Sequence, residues 1–358
     1  MTFFRISILL LSILVFACTT NHKKYSFEYA EPEDHGFSSK KLEKLAEFLE
    51  IEGSSSMILM VDENIIFEWG NTDQVHTIHS IRKSMLNSVF GIAVHEGLID
   101  TNATVAELGI DDINLLSDYE KSARVADLLK SKSGIYHSAA AVSEGMLRGK
   151  PERNSKEPGS HYYYNNWDFN VLNEVLEKKT GTSVFEFYKN KIADPLGMHH
   201  FDGSYISFDA DTIRNDEHFK FPETSGYYQY EKSKSRYPAY HFRMSAKDMA
   251  LYGQLYLNKG EWNGSQIIPE SWIEESTKPH SIYNERFGLA YGMLWNVLAP
   301  TNNRDGGSFY HTGTGVHMLG VYPSSNMVLV HRVDTEKEFS FDGNDLLRMI
   351  NLVFEAKE

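Results

Sequence analysis

The strongest constraint in this sequence is the run at 80–95, SIRKSMLNSVFGIAVH, which reads as one helix ended by Gly97. It is apolar on most of its faces, so it belongs in the interior; a surface helix keeps a single apolar stripe. Other elements must surround such a helix, and the chain can supply them. It has 358 residues, 41% of them hydrophobic, with 20 Tyr, 21 Phe and 5 Trp to bury. That length allows one large domain or two to three ordinary ones.

The surrounding elements are distributed unevenly. Ser38 and Ser39 precede KKLEKLAEFLEIEG, where Leu42, Leu45, Phe48 and Leu49 fall at helical spacing and Gly53 marks the stop. Residues 56–69, SMILMVDENIIFEW, read as two strands around a tight turn at Asp62-Glu63-Asn64. Further helices are expected at 123–130, 167–179, 246–258 and 344–354, and a hairpin at 315–333 turning through Pro323-Ser324-Ser325-Asn326. Residues 198–240 are polar and aromatic without a clear period, the mark of a mobile loop or of a functional insertion that lines a cleft. Strands thus lie near both termini with helices between. The expected fold class is α+β, an α/β sandwich. An antiparallel sheet from about 31–75 and 287–358, flanked by helices, would carry an all-helical region at about 76–286.

Charge narrows the partners. Lys and Arg total 35 against 49 Asp and Glu, a net of −14, which disfavours a nucleic-acid partner. Residues 1–17 read as a signal peptide: Arg5 is their only charge, and a run of 12 mostly apolar residues at 6–17 is short for a membrane span. Cys18 follows it and is the only cysteine, so no internal disulfide can form. The arrangement resembles a bacterial lipoprotein lipobox. It implies a lipidated Cys18, a tether over 18–30 and a chain anchored to the bacterial cell envelope, with the catalytic domain spanning 31–358.

Three elements carry chemistry. Ser80 and Lys83 share one helix face, so hydroxyl and amine can meet. A serine hydroxyl is a poor nucleophile until a base takes its proton. A lysine serves as that base only if its pKa falls, as burial would ensure; the helix N-terminus also favours charge developing on the oxygen. The spacing alone says little. It recurs at 38–41, where a helix cap explains it, and a capping Ser80 beside a snorkelling Lys83 is the plain structural alternative. Next, GSHYYYNN at 159–166 precedes a helix start, where a tyrosine could share proton transfer and an asparagine two residues on could donate to a substrate carbonyl. Y-x-N also occurs at 163–165, 188–190 and 256–258. Third, FYHTGTG at 309–315 places small residues before the hairpin, where substrate backbone can approach and an N–H can help hold an oxyanion. A K-T-G at 179–181 ends an expected helix, where the glycine is a C-cap.

Together and in this order, the three elements resemble the serine β-lactamase and penicillin-binding protein superfamily, whose signature is S-x-x-K, a second polar motif and a K-T-G triplet. A tyrosine in the second motif is similar to the class C β-lactamases and their esterase, D-aminopeptidase and 6-aminohexanoate-oligomer hydrolase relatives. The likeness runs from about Gly36 to Val333 and includes DLLKSKSGI, PGSHYYYNNWDFNVLNEVLEKKTG, ADPLGMHHF and FRMSAKDMALYGQLYLNKGEWNGSQIIPESW. It implies Ser80 as acylated nucleophile, Lys83 as its partner, Tyr164 as general base and Asn166 orienting substrate. His311, Thr312 and Gly313 stand at the triplet, and the N–H groups of Ser80 and Thr314 would form the oxyanion hole.

The triplet begins with His rather than Lys. An unperturbed imidazole titrates near ~6.5 and offers little fixed charge to a carboxylate. A small ester or amide is therefore the expected substrate, with acyl-enzyme hydrolysis as the reaction. A true β-lactamase, a D-alanyl carboxypeptidase and a non-catalytic binding protein on the same scaffold are the alternatives. His76 with His79, or the pair His199-His200, could offer metal ligands, but no H-E-x-x-H or Cys–His cluster accompanies them, so neither metal nor cofactor is expected. The absence of a G-x-S-x-G elbow disfavours an α/β-hydrolase.

Overall fold

A computed structural model describes residues 23–213, 220–302 and 304–358. Cys18 and the apolar run before it lie outside the described residues. Among those described, no helix is long and apolar enough to cross a membrane.

Nine strands form the main sheet. Its spatial order is Glu28–Tyr29, Asn64–Gly70, Ser56–Val61, Met327–Arg332, His317–Tyr322, Ser308–Gly313, Asn296–Leu298, Leu289–Tyr291 and Ser281–Asn284. Both ends of the chain build it, as the distribution of strands predicts. All pairings are antiparallel except that of the two-residue edge strand Glu28–Tyr29. SMILMV is buried throughout because both faces of the sheet are covered. Met57, Leu59 and Val61 pack with Leu45, Leu49, Met349 and Val353 from helices Ser39–Ile51 and Gly343–Ala356. Ile58 and Met60 point the other way, into the cluster that holds Leu251 and Leu255 of helix Ala246–Leu257. The period of two along a strand sorts these residues between the layers.

The run at 80–95 divides in two. His79–Ile81 is a 3₁₀ turn, and the α-helix proper is Arg82–His95, with every residue from Arg82 to Ala93 buried. Arg332, at the end of its strand, is fully buried. It donates to the carbonyls of Met244 (2.6 Å), His76 (2.9 Å) and Thr77 (3.2 Å). This guanidinium ties the sheet to the segment that delivers Ser80.

The inserted region is not wholly helical. It holds a four-stranded sheet, ordered His76–Thr77, Ala239–Met244, Gly226–Tyr230 and Tyr205–Asp209. Two of these strands fall in the stretch read as aperiodic, and a third, Ala239–Met244, begins at its end. Gly226, Tyr227 and Tyr228 are all buried, so alternation is erased, and the pairing partners lie far apart in the chain.

Candidate active site

Ser80 sits half-buried in the 3₁₀ turn, where it lines a cavity of about 1080 Å³. The preceding His79 holds a left-handed backbone, φ 49°, which costs a non-glycine residue about 1–2 kcal/mol. Its ring stacks on His317 at 5.3 Å and its Nε2 meets the Thr335 hydroxyl at 2.7 Å, contacts that hold the turn. One turn along, Lys83 Nζ lies 3.1 Å from Ser80 Oγ. Lys83 is 0% exposed. Burial, reinforced by the Arg82 charge, depresses its amine well below the usual lysine range. Burial thus favours the free-base form of the amine, whose lone pair can accept the serine proton. A snorkelling Lys83 is excluded.

Tyr164 lies beside that amine, with Lys83 Nζ 4.9 Å from its ring centroid and 4.8 Å from that of Phe169. The half-buried Tyr164 lines the cavity. Burial pushes the phenol up to about 12, against the opposing influences of the Ser80 hydroxyl and Arg82. At neutral pH the phenol therefore keeps its proton, while the lysine gives its own up more readily than an exposed lysine does. Neighbouring Tyr163 turns away and donates to the Met146 carbonyl. Asn165 caps helix Asn166–Thr180 through the Trp167 amide at 3.1 Å. Asn166 reaches the cavity, but its amide nitrogen donates to the Ala141 carbonyl at 2.5 Å. Its Oδ1 is buried without a partner among the described residues, and the donor that the sequence suggested for substrate is turned to a carbonyl instead.

The strand Ser308–Gly313 ends at the same cavity, lined by His311, Thr312 and Thr314. His311 Nδ1 donates to the Thr312 carbonyl at 3.0 Å, and its Nε2 is buried without a partner. Burial, with Lys83 nearby, depresses the imidazole to about 3, so it is neutral. Gly313 is required by close approach. A Cβ there would stand 2.4 Å from the Ile78 carbonyl oxygen, two residues before the nucleophile. Thr314 turns the chain with φ 54°. The other triplet, 179–181, ends its helix, and Gly181 is the left-handed C-cap.

Several cavity residues escaped the sequence reading: Arg82, Tyr162, Tyr227, Glu231, His241 and Tyr283. Arginine in the first turn of a helix read as buried was the available signal. Phe208, Ile213, Phe221, Tyr227, Gln229 and Glu231, all from the aperiodic stretch, line the cavity. Of the metal candidates, His199 and His200 gather with Asp73, their ligand atoms within 4.8 Å of one another. Those groups are engaged already: His199 Nε2 with the Tyr25 carbonyl, His200 Nε2 with Asp73, and Asp73 with Lys247.

A family model described as Beta-lactamase matches residues 44–350. A Salmonella enteritidis protein named "Putative D-alanyl-D-alanine carboxypeptidase" is 22% identical over 367 residues, covering 84% of this chain and 84% of that protein. Among solved structures, "Putative 6-aminohexanoate-dimer hydrolase from Bacillus anthracis" superposes with a TM-score of 0.64 at 19% identity, over 93% of this chain and 87% of the other. A family VIII carboxylesterase gives 0.60 at 18% identity, over 90% and 99%. At these identities the likeness between structures is one of fold.

Proposed function

This chain belongs to the Beta-lactamase family, and from that premise we propose that it is a serine hydrolase cleaving an ester or small amide through an acyl-Ser80 intermediate. The observation that carries the reading is the 3.1 Å contact between the Ser80 hydroxyl and a fully buried Lys83 amine. Lys83 takes the serine proton as Ser80 Oγ attacks the carbonyl. The oxygen that becomes negative is held by the N–H groups of Ser80 and Thr314. The Tyr164 phenol, close to both groups, relays a proton to the leaving group. In the second half-reaction Tyr164 and Lys83 together act as general base toward water, the role the resemblance gives Tyr164. Asn166 and the His311-Thr312-Gly313 segment orient the substrate. Among the names of similar proteins, the carboxylesterase and the 6-aminohexanoate-dimer hydrolase favour ester and amide substrates, and the carboxypeptidase a peptide one.

A covalent serine probe tests the reading. Wild type should be labelled at Ser80 and Ser80→Ala should not, with turnover falling on the order of 10³-fold or more. Equal labelling of both would refute it, and absence of labelling in both would favour a binding protein on this scaffold. The reading includes a lipid anchor at Cys18. Mass spectrometry of the membrane fraction checks that part; a mature chain starting elsewhere without an acyl group would remove it.

A further inference from the structure

Next to the nucleophile lies a group of buried imidazoles to which the acyl-serine chemistry gives no role. His317 is 0% exposed and meets both turns that carry the oxyanion-hole N–H groups. Its ring stacks on His79, which precedes Ser80, and its backbone pairs with Gly313, which precedes Thr314. A Cβ built on Gly313 would stand 3.1 Å from His317 Cδ2, so the imidazole packs against that turn as well. His79 and Thr314 both hold left-handed backbone, with φ of 49° and 54°. The Ser80 N–H belongs to the rigid peptide that joins it to His79, so holding His79 fixes where that N–H points.

Hydrogen bonds run through this group in one direction. Arg332 Nε and the Val333 amide donate to His317 Nδ1, each at 3.3 Å. Both can only donate, so Nδ1 accepts, and a neutral ring then carries its hydrogen on Nε2. Burial, with the Arg332 charge beside it, holds His317 well below the usual imidazole range and so keeps it neutral. His317 Nε2 lies 3.3 Å from the Thr335 hydroxyl, which accepts from it and donates its own hydrogen to His79 Nε2 at 2.7 Å. The hydrogen of His79 is thereby placed on Nδ1.

We propose that His317 and Thr335 are positioning residues for the oxyanion hole, acting through His79 to set the Ser80 N–H against that of Thr314. The main sheet supplies the fixed end of this relay. Thr335 follows the strand Met327–Arg332, and its amide donates to the Val333 carbonyl at 3.0 Å. The inference rests on the hydrolase reading of the site and adds the residues that aim its N–H groups.

Two variants test it: Thr335→Val removes the hydroxyl at nearly constant shape, and Thr335→Ser keeps it. On a 4-nitrophenyl ester, Thr335→Val should lose about 10- to 100-fold in kcat with KM within about threefold of wild type. Thr335→Ser should recover most of that loss. A Thr335→Val kcat within about threefold of wild type, or an equal loss in Thr335→Ser, overturns the proposal. Long-range proton–nitrogen NMR correlations of the wild-type histidines, assigned with His79→Gln and His317→Gln, read the hydrogen order without turnover. They decide the matter even if Thr335→Val folds poorly. Hydrogens on His317 Nε2 and His79 Nδ1 support the relay, and the opposite tautomer at either ring overturns it. Ser80→Ala is the control on the underlying reading: if it turns the ester over as fast as wild type, the acyl-serine mechanism fails, and the tautomers still judge the relay.

Discussion

Replacing Lys83 with methionine separates catalysis from folding. The amine is fully buried and makes one side-chain hydrogen bond, to Ser80 at 3.1 Å. Losing a neutral bond of that kind costs about 0.5–1.5 kcal/mol. Removing a poorly partnered amine from the interior returns a similar amount. Methionine matches the length of the lysine stem and keeps its contacts with Tyr164 and Phe169. Stability should therefore stay within about 1 kcal/mol of wild type, a Tm change of less than about 4 °C. Activity should not survive. A positioned base contributes about 10²- to 10⁴-fold, or roughly 3–5 kcal/mol of barrier. Single-turnover acylation by a 4-nitrophenyl ester, measured beside thermal denaturation of the same sample, reads both quantities. A folded Lys83→Met protein that acylates at more than about a tenth of the wild-type rate would refute the assignment.

Further outcomes follow from the same geometry. The acylation rate should rise with pH along one limb as Lys83 loses its proton and fall as pH drops through that value, which lies below lysine's ordinary ~10.4. Because burial depresses His311 to about 3, it adds no second limb in the neutral range, and a kcat/KM profile with two limbs there, or with its single limb at ~10.4, would contradict this. Gly313→Ala pushes a Cβ to 2.4 Å from the Ile78 carbonyl oxygen. It should destabilise by about 1–3 kcal/mol and lower kcat more than it raises KM, as steady-state kinetics and melting would show. The buried Asp112 carboxylate accepts from the Trp167 indole (2.8 Å), the Ser235 hydroxyl (2.6 Å) and the Arg236 amide (2.8 Å). Asp112→Ala strands these donors, together with the Ile113 amide (2.8 Å), and should cost about 3–5 kcal/mol in denaturant unfolding, while a loss under about 1 kcal/mol would mean that water replaces the carboxylate.

The helices, the central hairpin and the meeting of Ser80 with Lys83 were legible in the sequence because each depends on residues a few positions apart. An i, i+3 pair on a helix must share a face wherever that helix is placed. Gly181 reads as a C-cap for the same local reason, and that removes the rival triplet. Longer-range properties were not legible. The second sheet joins His76–Thr77 to strands more than a hundred residues away, and continuous burial along Ala239–Met244 and at the start of Gly226–Tyr230 removes their periodic signal. The donor of Asn166 is spent on a carbonyl from another segment. The depressed Lys83 amine, the retained proton of Tyr164 and the burial of Arg82 come from packing, which sets how much water and which charges surround each group. Sequence by itself determined which groups could react. The tertiary structure decided how readily each holds or yields its proton, because that depends on neighbours that only folding brings together.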